Sequence, residues 1–211
     1  MGRGSVVCDL AAGTGKLTRL LVPSGARVIA VEPVQEMREQ LELAVPAAEV
    51  LEGLAESLPL RDASVDCVTA AQSFHWFDYE RALPELARVI RPGGLLAVIR
   101  NVRDKQNPLV AAVNEVIAPF IPAEQAGEQP WREAIDSSPA FGPSEQRAFC
   151  FEQPLDVDDL VGRFASISWI ARLDDEPRQG VLERIRALGN AQTGPLVLPY
   201  TTEVFLAERL A

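Results

Sequence analysis

The run Val6-Val7-Cys8-Asp9-Leu10-Ala11-Ala12-Gly13-Thr14-Gly15-Lys16 constrains this chain more than any other. Its apolar half suits a β-strand covered on both faces, because such strands bury side chains above and below and lose the polar alternation of a one-sided strand. An acid, Asp9, falls at the strand's end. Two glycines follow. Lacking Cβ, they can take a positive φ and let another molecule approach the backbone. A helix beginning near Lys16 would aim its unpaired N–H groups back at that turn. Strand, acid, glycine turn and helix in this order are the layout of a nucleotide-cofactor loop in a doubly wound α/β fold.

A second run, Val28-Ile29-Ala30-Val31-Glu32-Pro33, reads as a neighbouring strand that also ends in an acid. A carboxylate at that place can accept hydrogen bonds from both hydroxyls of a ribose, so the two runs together point to an adenosine-containing cofactor. A phosphate-binding loop of the form G-x-x-x-x-G-K-[ST] is excluded, because Leu10 and Leu17 stand where it needs glycine and a hydroxyl. A dinucleotide site wants G-x-G-x-x-G, and its third glycine, which permits close helix–strand packing, is replaced by Thr18. S-adenosylmethionine, with a ribose and a carboxylate but no pyrophosphate, is the remaining candidate.

Asp9 to Gly15 resembles the first motif of class I S-adenosylmethionine-dependent methyltransferases, and Glu32 matches their ribose-binding acid. Gly53-Leu54-Ala55-Glu56-Ser57-Leu58-Pro59-Leu60 looks like the loop that covers the adenine. Asp62 to Ala70 looks like the fourth strand and its lead-in, and Arg88 to Leu96 the turn into the fifth. Gln72-Ser73-Phe74-His75-Trp76-Phe77 is similar to the small-molecule type, in a branch near trans-aconitate methyltransferase. The likeness is strong over the first half of the chain and loose over the second. It implies a Rossmann-like, mostly parallel seven-stranded sheet with an antiparallel pair of strands at the C-terminal end and a helical insertion after strand five. Two departures stand out. Leu54 occupies a place where many relatives carry an acid for the adenine amino group. Only Met1-Gly2-Arg3-Gly4 precedes the first strand region, where relatives carry helices that help close the site, so the expectation is that the start is misassigned, the chain is truncated, or another element, or a second copy in a homodimer, covers it.

Along the chain, Leu17, Leu20 and Leu21 form the inner stripe of a first helix, and Val34, Met37 and Leu41 that of a second. Val50-Leu51 reads as strand three and Val65 to Ala70 as strand four. Tyr79, Ala82, Leu83, Leu86, Val89 and Ile90 trace a helical face, which Pro92-Gly93-Gly94 breaks before Leu95 to Ile99. This alternation implies a parallel sheet with right-handed crossovers. We divide a single domain, 1–211, into a cofactor half (1–103), a helical insertion or lid (104–143), within which Asn107 to Phe120 reads as a helix, and a strand–helix–helix–strand segment (144–211) completing the sheet. In that last segment Gln146 to Gln153 reads as a strand, Asp156 as a helix cap, Gly189 as the C-terminal cap of a helix over Glu176 to Leu188, and Leu198 to Ala207 as a final strand.

At 211 residues, 47% hydrophobic and 24% charged, the chain is long enough for a sizeable core. A net charge of −10 repels phosphate backbones and argues against a nucleic-acid substrate. Three scattered cysteines and a single histidine exclude an ordinary four-ligand zinc site. Cys8, Cys67 and Cys150 read as reduced core thiols of a cytoplasmic protein, and no apolar run is long enough to span a bilayer.

Methyl transfer from a sulfonium needs alignment and exclusion of water more than acid–base chemistry. His75, the sole histidine, lies just past strand four, where it can act as general base or substrate partner, or simply fix the turn. The resemblance implies cofactor contacts from Asp9, Ala11, Gly13, Gly15, Glu32, Pro33, Ala55, Glu56, Ala71 and Gln72. Phe74, Trp76, Asn101, Arg103 and Trp131 are candidates for the substrate side. The reading is an S-adenosylmethionine-dependent transfer to a small molecule, at an oxygen. The alternatives are an NAD(P)-dependent oxidoreductase on a similar sheet and a non-catalytic or truncated protein of the same fold.

Overall fold

A computed structural model describes residues 2–121 and 130–211. In chain order the elements are β1 (Val6–Leu10), α1 (Thr18–Leu21), β2 (Arg27–Val31), α2 (Gln35–Ala44), β3 (Glu49–Leu51), β4 (Val65–Ala71), α3 (Tyr79–Val89), β5 (Ile90–Arg103), α4 (Pro108–Ile117), α5 (Trp131–Asp136), β6 (Glu145–Leu155), α6 (Val157–Ala165), α7 (Ser168–Ala171), α8 (Asp175–Asn190) and β7 (Leu196–Glu208). The strands form one seven-stranded sheet in the order β3-β2-β1-β4-β5-β7-β6. The first five pair in parallel. At the other end, the Gly93 N–H of β5 donates to the Arg209 carbonyl and the Arg209 N–H, just past β7, donates to the Gly94 carbonyl, in an antiparallel pattern. This is the expected sheet with its antiparallel C-terminal strands. Strand order reverses between β1 and β4, the place where open α/β sheets bind ligands beyond the strand carboxyl ends.

The chain forms two compact units. The first comprises residues up to 100, 130–147 and 203–211; the second comprises 101–121 and 148–202, together with residues outside the described part. Each has its own core. In the first, Leu10, Val31, Val68, Leu86, Ile90 and Leu96 pack with Phe74, Trp131 and Phe205. In the second, Val110, Val113, Leu160, Phe164, Ile185 and Leu198 pack together. The segment 104–143, expected to act as one insertion, is thereby divided, and its residues 122–129 lie outside the described part. Trp131 and Ile135 of α5 belong to the first core, whereas α4 packs on α8 in the second unit.

Several local expectations are corrected. The first helix starts at Thr18, two positions past Lys16, but is only one turn long before a 3-10 turn at Val22–Ser24, so it offers no continuous stripe and Leu20 is 68% exposed. In α2 only Leu41 of the expected stripe is buried, and Val34 and Met37 face solvent. Pro92-Gly93-Gly94 does not separate helix from strand. It forms an irregularity inside β5, where the register with β4 slips between Val65 and Cys67. Gly189 is not a cap; it lies buried within α8. A Cβ there would come within 3.1 Å of Leu160 Cδ2 and 3.3 Å of Val157 Cγ1, so the glycine lets α6 and α8 approach. Asp156 does cap α6, its Oδ1 accepting the Asp159 N–H at 2.7 Å. Cys8 and Cys67 are core thiols, and burial pushes the Cys67 thiol up to about 12, but Cys150 is exposed on β6. No helix among the described residues is long and apolar enough to cross a membrane.

Candidate cofactor and active site

The ends of β1, β2 and β4 and the loops that follow them lie within the first unit. Buried on both faces, these strands end abruptly where the chain must turn, and the turns carry the unusual backbone. Ala11 (φ 51°), Gly13 (φ 57°) and Gly15 (φ 83°) adopt left-handed conformations after β1, and Gln72 (φ 59°) does so after β4. Non-glycine residues in that region cost about 1–3 kcal/mol and collect at functional sites. Here two of them, Ala11 and Gln72, terminate adjacent strands.

The two glycines differ in purpose. At Gly15 an added Cβ would sit 3.1 Å from both Leu41 Cγ and Val45 Cγ2, so its bareness serves packing against α2. At Gly13 an added Cβ would meet nothing within 4 Å, so bare backbone faces open space. The Gly13 N–H donates to Glu32 Oε2 at 2.9 Å, and the Val34 N–H donates to Glu32 Oε1 at 3.1 Å. Glu32 is only 4% exposed. Each of its oxygens holds one backbone donor and retains a second lone pair, so the carboxylate is fixed in place and can still accept two hydroxyl donors.

Asp9 is tied more completely. Its carboxylate accepts the Thr18 hydroxyl at 2.6 Å and the Thr69 hydroxyl at 3.1 Å. With Asp9 1% exposed, burial raises its carboxyl from 3.8 to about 6, and the threonine hydrogen bonds offset part of that rise. It joins the turn after β1 to β4 rather than projecting into open space. Thr18, in the place of a dinucleotide site's third glycine, is fully buried and makes this bond.

The loop after β3 is held at several points. Glu56 Oε1 accepts the Asp78 N–H at 2.9 Å, at the start of α3. Glu85 accepts the Leu58 N–H at 2.6 Å, and Arg88 donates to the carbonyls of Leu58 and Leu60 while pairing with Glu85 and Asp62. Ala55 is buried beneath this loop, while Leu54 is 55% exposed. Across from it, Arg38 donates to the carbonyls of Glu32 and Pro33 and pairs with Glu52. Arg38, Glu85 and Arg88 escaped sequence reasoning, since nothing local marks an arginine on a helix as a loop clamp.

Beyond β4, Gln72 is exposed and Ala71 half-buried. Ser73 is buried, and its hydroxyl has no partner among the described residues. His75 and Trp76 lie in a 3-10 turn (Phe74–Trp76), with ring centroids 4.8 Å apart. Partial burial, and to a lesser degree Arg100, lowers the His75 pKa, so the imidazole is neutral near pH 7. Phe74 and Trp131, candidates for the substrate side, are core residues: their rings pack edge-on at 6.1 Å, and Trp131 packs against Phe205 at 4.7 Å. Trp76 is exposed. Asn101 and Arg103 belong to the second unit, where Asn101 accepts the Thr202 hydroxyl at 2.8 Å and Arg103 lies over the Phe164 ring. No cluster of three or more His, Cys, Asp or Glu placed to hold a metal ion occurs among the described residues.

A doubly wound sheet with a glycine turn and an acid at these strand ends is the layout of a nucleotide-cofactor fold, and comparison with known proteins is more specific. Residues 8–98 match the model of a methyltransferase domain. An uncharacterised methyltransferase of Mycobacterium tuberculosis is 38% identical over 201 residues, 93% of this chain and 80% of that one. A solved structure from Anaeromyxobacter dehalogenans, provisionally assigned as a type II methyltransferase, superposes with a TM-score of 0.67 at 25% identity, covering 97% of this chain and 89% of that one. Geranyl diphosphate methyltransferase, solved with S-adenosylmethionine, shares the fold with a TM-score of 0.55 at 12% identity, over 100% of this chain and 80% of that one. The chain belongs to the methyltransferase family.

Proposed function

We propose that the protein transfers a methyl group from S-adenosylmethionine to an oxygen of a small molecule. The observation that carries this reading is Glu32, a buried carboxylate clipped to the Gly13 N–H and still able to accept two hydroxyls beside bare backbone. The residues fit the cofactor's parts. Glu32 would receive the ribose hydroxyls. Leu54 and Val34 are exposed apolar side chains suited to an adenine ring, and the backbone N–H of Ala55 would meet its edge. Ala11, Gly13 and the Gln72 carbonyl would line the amino-acid end, where the unpartnered Ser73 hydroxyl supplies one more polar contact. Asp9 and Gly15 shape the turn, and Glu56 and Pro33 anchor the loops on either side.

When bound, the cofactor supplies an activated methyl group and its leaving group. The chain's own residues hold the acceptor in line and exclude water, an effect worth about 7 kcal/mol or more when well aligned. His75, neutral near pH 7, would take a proton from an acceptor hydroxyl at a ring nitrogen; an acceptor carboxylate would need only orientation. Trp76, exposed beside it, would form the apolar wall. Thr18 in the place of a third glycine favours this reading over nicotinamide chemistry.

Calorimetric titration with S-adenosylmethionine and S-adenosylhomocysteine, with NAD as control, tests it. Binding of the first two alone is expected, and Glu32→Ala should weaken both by about 1–3 kcal/mol through loss of the hydroxyl acceptor. Unchanged affinity in that variant refutes the ribose assignment.

A further inference from the structure

The second unit contains a group of side chains that the cofactor reading does not use. Arg163, on α6, donates from Nε to the Tyr200 hydroxyl at 3.1 Å, and its guanidinium lies 5.4 Å from the centre of the Tyr200 ring. Arg103, at the end of β5, stacks over the Phe164 ring at 4.6 Å. Both arginines are half-buried, Tyr200 is 3% exposed, and Phe151 of β6 stacks on Tyr200 with centroids 5.2 Å apart. Among the described residues neither guanidinium forms an ion pair, although the chain is acidic overall and most other ion pairs are arginine–carboxylate contacts on its surface.

Two like charges brought together and partly removed from water repel each other, and burial penalises both. Among the described residues their partners are neutral: two aromatic rings and one hydroxyl. Burial, and to a lesser degree Arg163, lowers the Arg103 pKa, while Tyr200 raises it in part. An arginine fork left with free N–H groups matches a carboxylate in a bidentate way. The Tyr200 oxygen accepts from Arg163, and its O–H can still donate to one acceptor. Phe151, 41% exposed, adds an apolar edge next to the charges.

We infer that Arg103, Arg163 and Tyr200 form a binding site for a small organic carboxylate, with Phe151 contacting its apolar part. The site lies within one unit, and its existence does not depend on the cofactor assignment.

The test is titration of the full chain, without cofactor, by benzoate, with benzamide as the neutral isostere. Saturable binding of benzoate and none of benzamide is expected. Arg163→Gln should weaken benzoate at least ~10-fold, since one fork is lost. Arg163→Lys, which keeps the charge but not the fork, should also weaken it and serves if the glutamine variant does not fold, as judged by circular dichroism. Absence of benzoate binding overturns the inference, as does equal binding of benzamide or affinity unchanged in a folded Arg163 variant. Titration with S-adenosylmethionine separates the two readings, because its binding should be the same in the Arg163 variants and the original chain.

Discussion

Replacing Asp9 by asparagine should remove a pH-dependent cost from folding. Asp9 is buried against Thr18 and Thr69, and burial lifts its carboxyl from 3.8 to about 6. That is a rise of about 2 units at 1.36 kcal/mol each, or about 3 kcal/mol. Between about pH 4 and about pH 6 the folded chain keeps a proton that the unfolded chain has released. The folded state therefore binds more protons, and stability falls as pH rises through that window. Above about pH 6 both states are ionised and the cost is constant. Asparagine has the same shape, accepts from Thr18, and does not titrate. The assay is urea unfolding of both proteins at steps from about pH 4 to about pH 7. The stability of Asp9→Asn minus that of the original should increase by about 3 kcal/mol across this range, whatever its value at the acid end. A difference that stays flat would show that Asp9 titrates alike in both states and would refute the burial argument.

The two turn glycines should separate by assay. Gly15→Ala meets Leu41 and Val45 and should cost about 1–3 kcal/mol of stability, read by urea unfolding. Gly13→Ala meets no atom and should cost only the left-handed backbone penalty, about 1–2 kcal/mol, while its new methyl weakens S-adenosylmethionine binding in calorimetry. Gly189→Ala should destabilise by about 1–3 kcal/mol, because Leu160 and Val157 leave no room between α6 and α8. Since burial and Arg100 lower the His75 pKa, a rate dependent on neutral His75 should persist below pH 6.5 before it falls. His75→Ala should abolish that acid limb and leave cofactor affinity unchanged.

The sheet was readable from β1, β2 and β4 because strands buried on both faces are written as unbroken apolar runs, with an acid or small residue where each run ends. Gly13 and Glu32 were readable for the same reason: both lie within three residues of a strand end. The distinction between Gly13 and Gly15 was not, because the atoms that decide it belong to Leu41 and Val45, some 30 positions away. Gly189 misled for a similar reason. A glycine near the last apolar residue of a helix looks like a cap until the facing helix is known. Leu20, Val34 and Met37 fit a helical period but face water, since α1 is a single turn with no continuous face and α2 buries only Leu41 of its stripe. Phe74 and Trp131 stood as candidates for the substrate side, yet aromatic rings that find one another collapse into a core. Arg163 and Tyr200 are 37 positions apart, and no spacing rule joins them.

The clip between Glu32 and Gly13 bears on how fast this turn can be filled and emptied. Its carboxylate is already stripped of most water and its neighbouring loops are already clamped by Arg38, Glu85 and Arg88, so a ligand arriving there finds a rigid mould. Little chain entropy is surrendered by these clamped loops when a ligand docks against them. Association should then proceed in a single kinetic phase, and successive product exchange at this turn would be governed by how long the contacts last rather than by a slow opening of the loops around it.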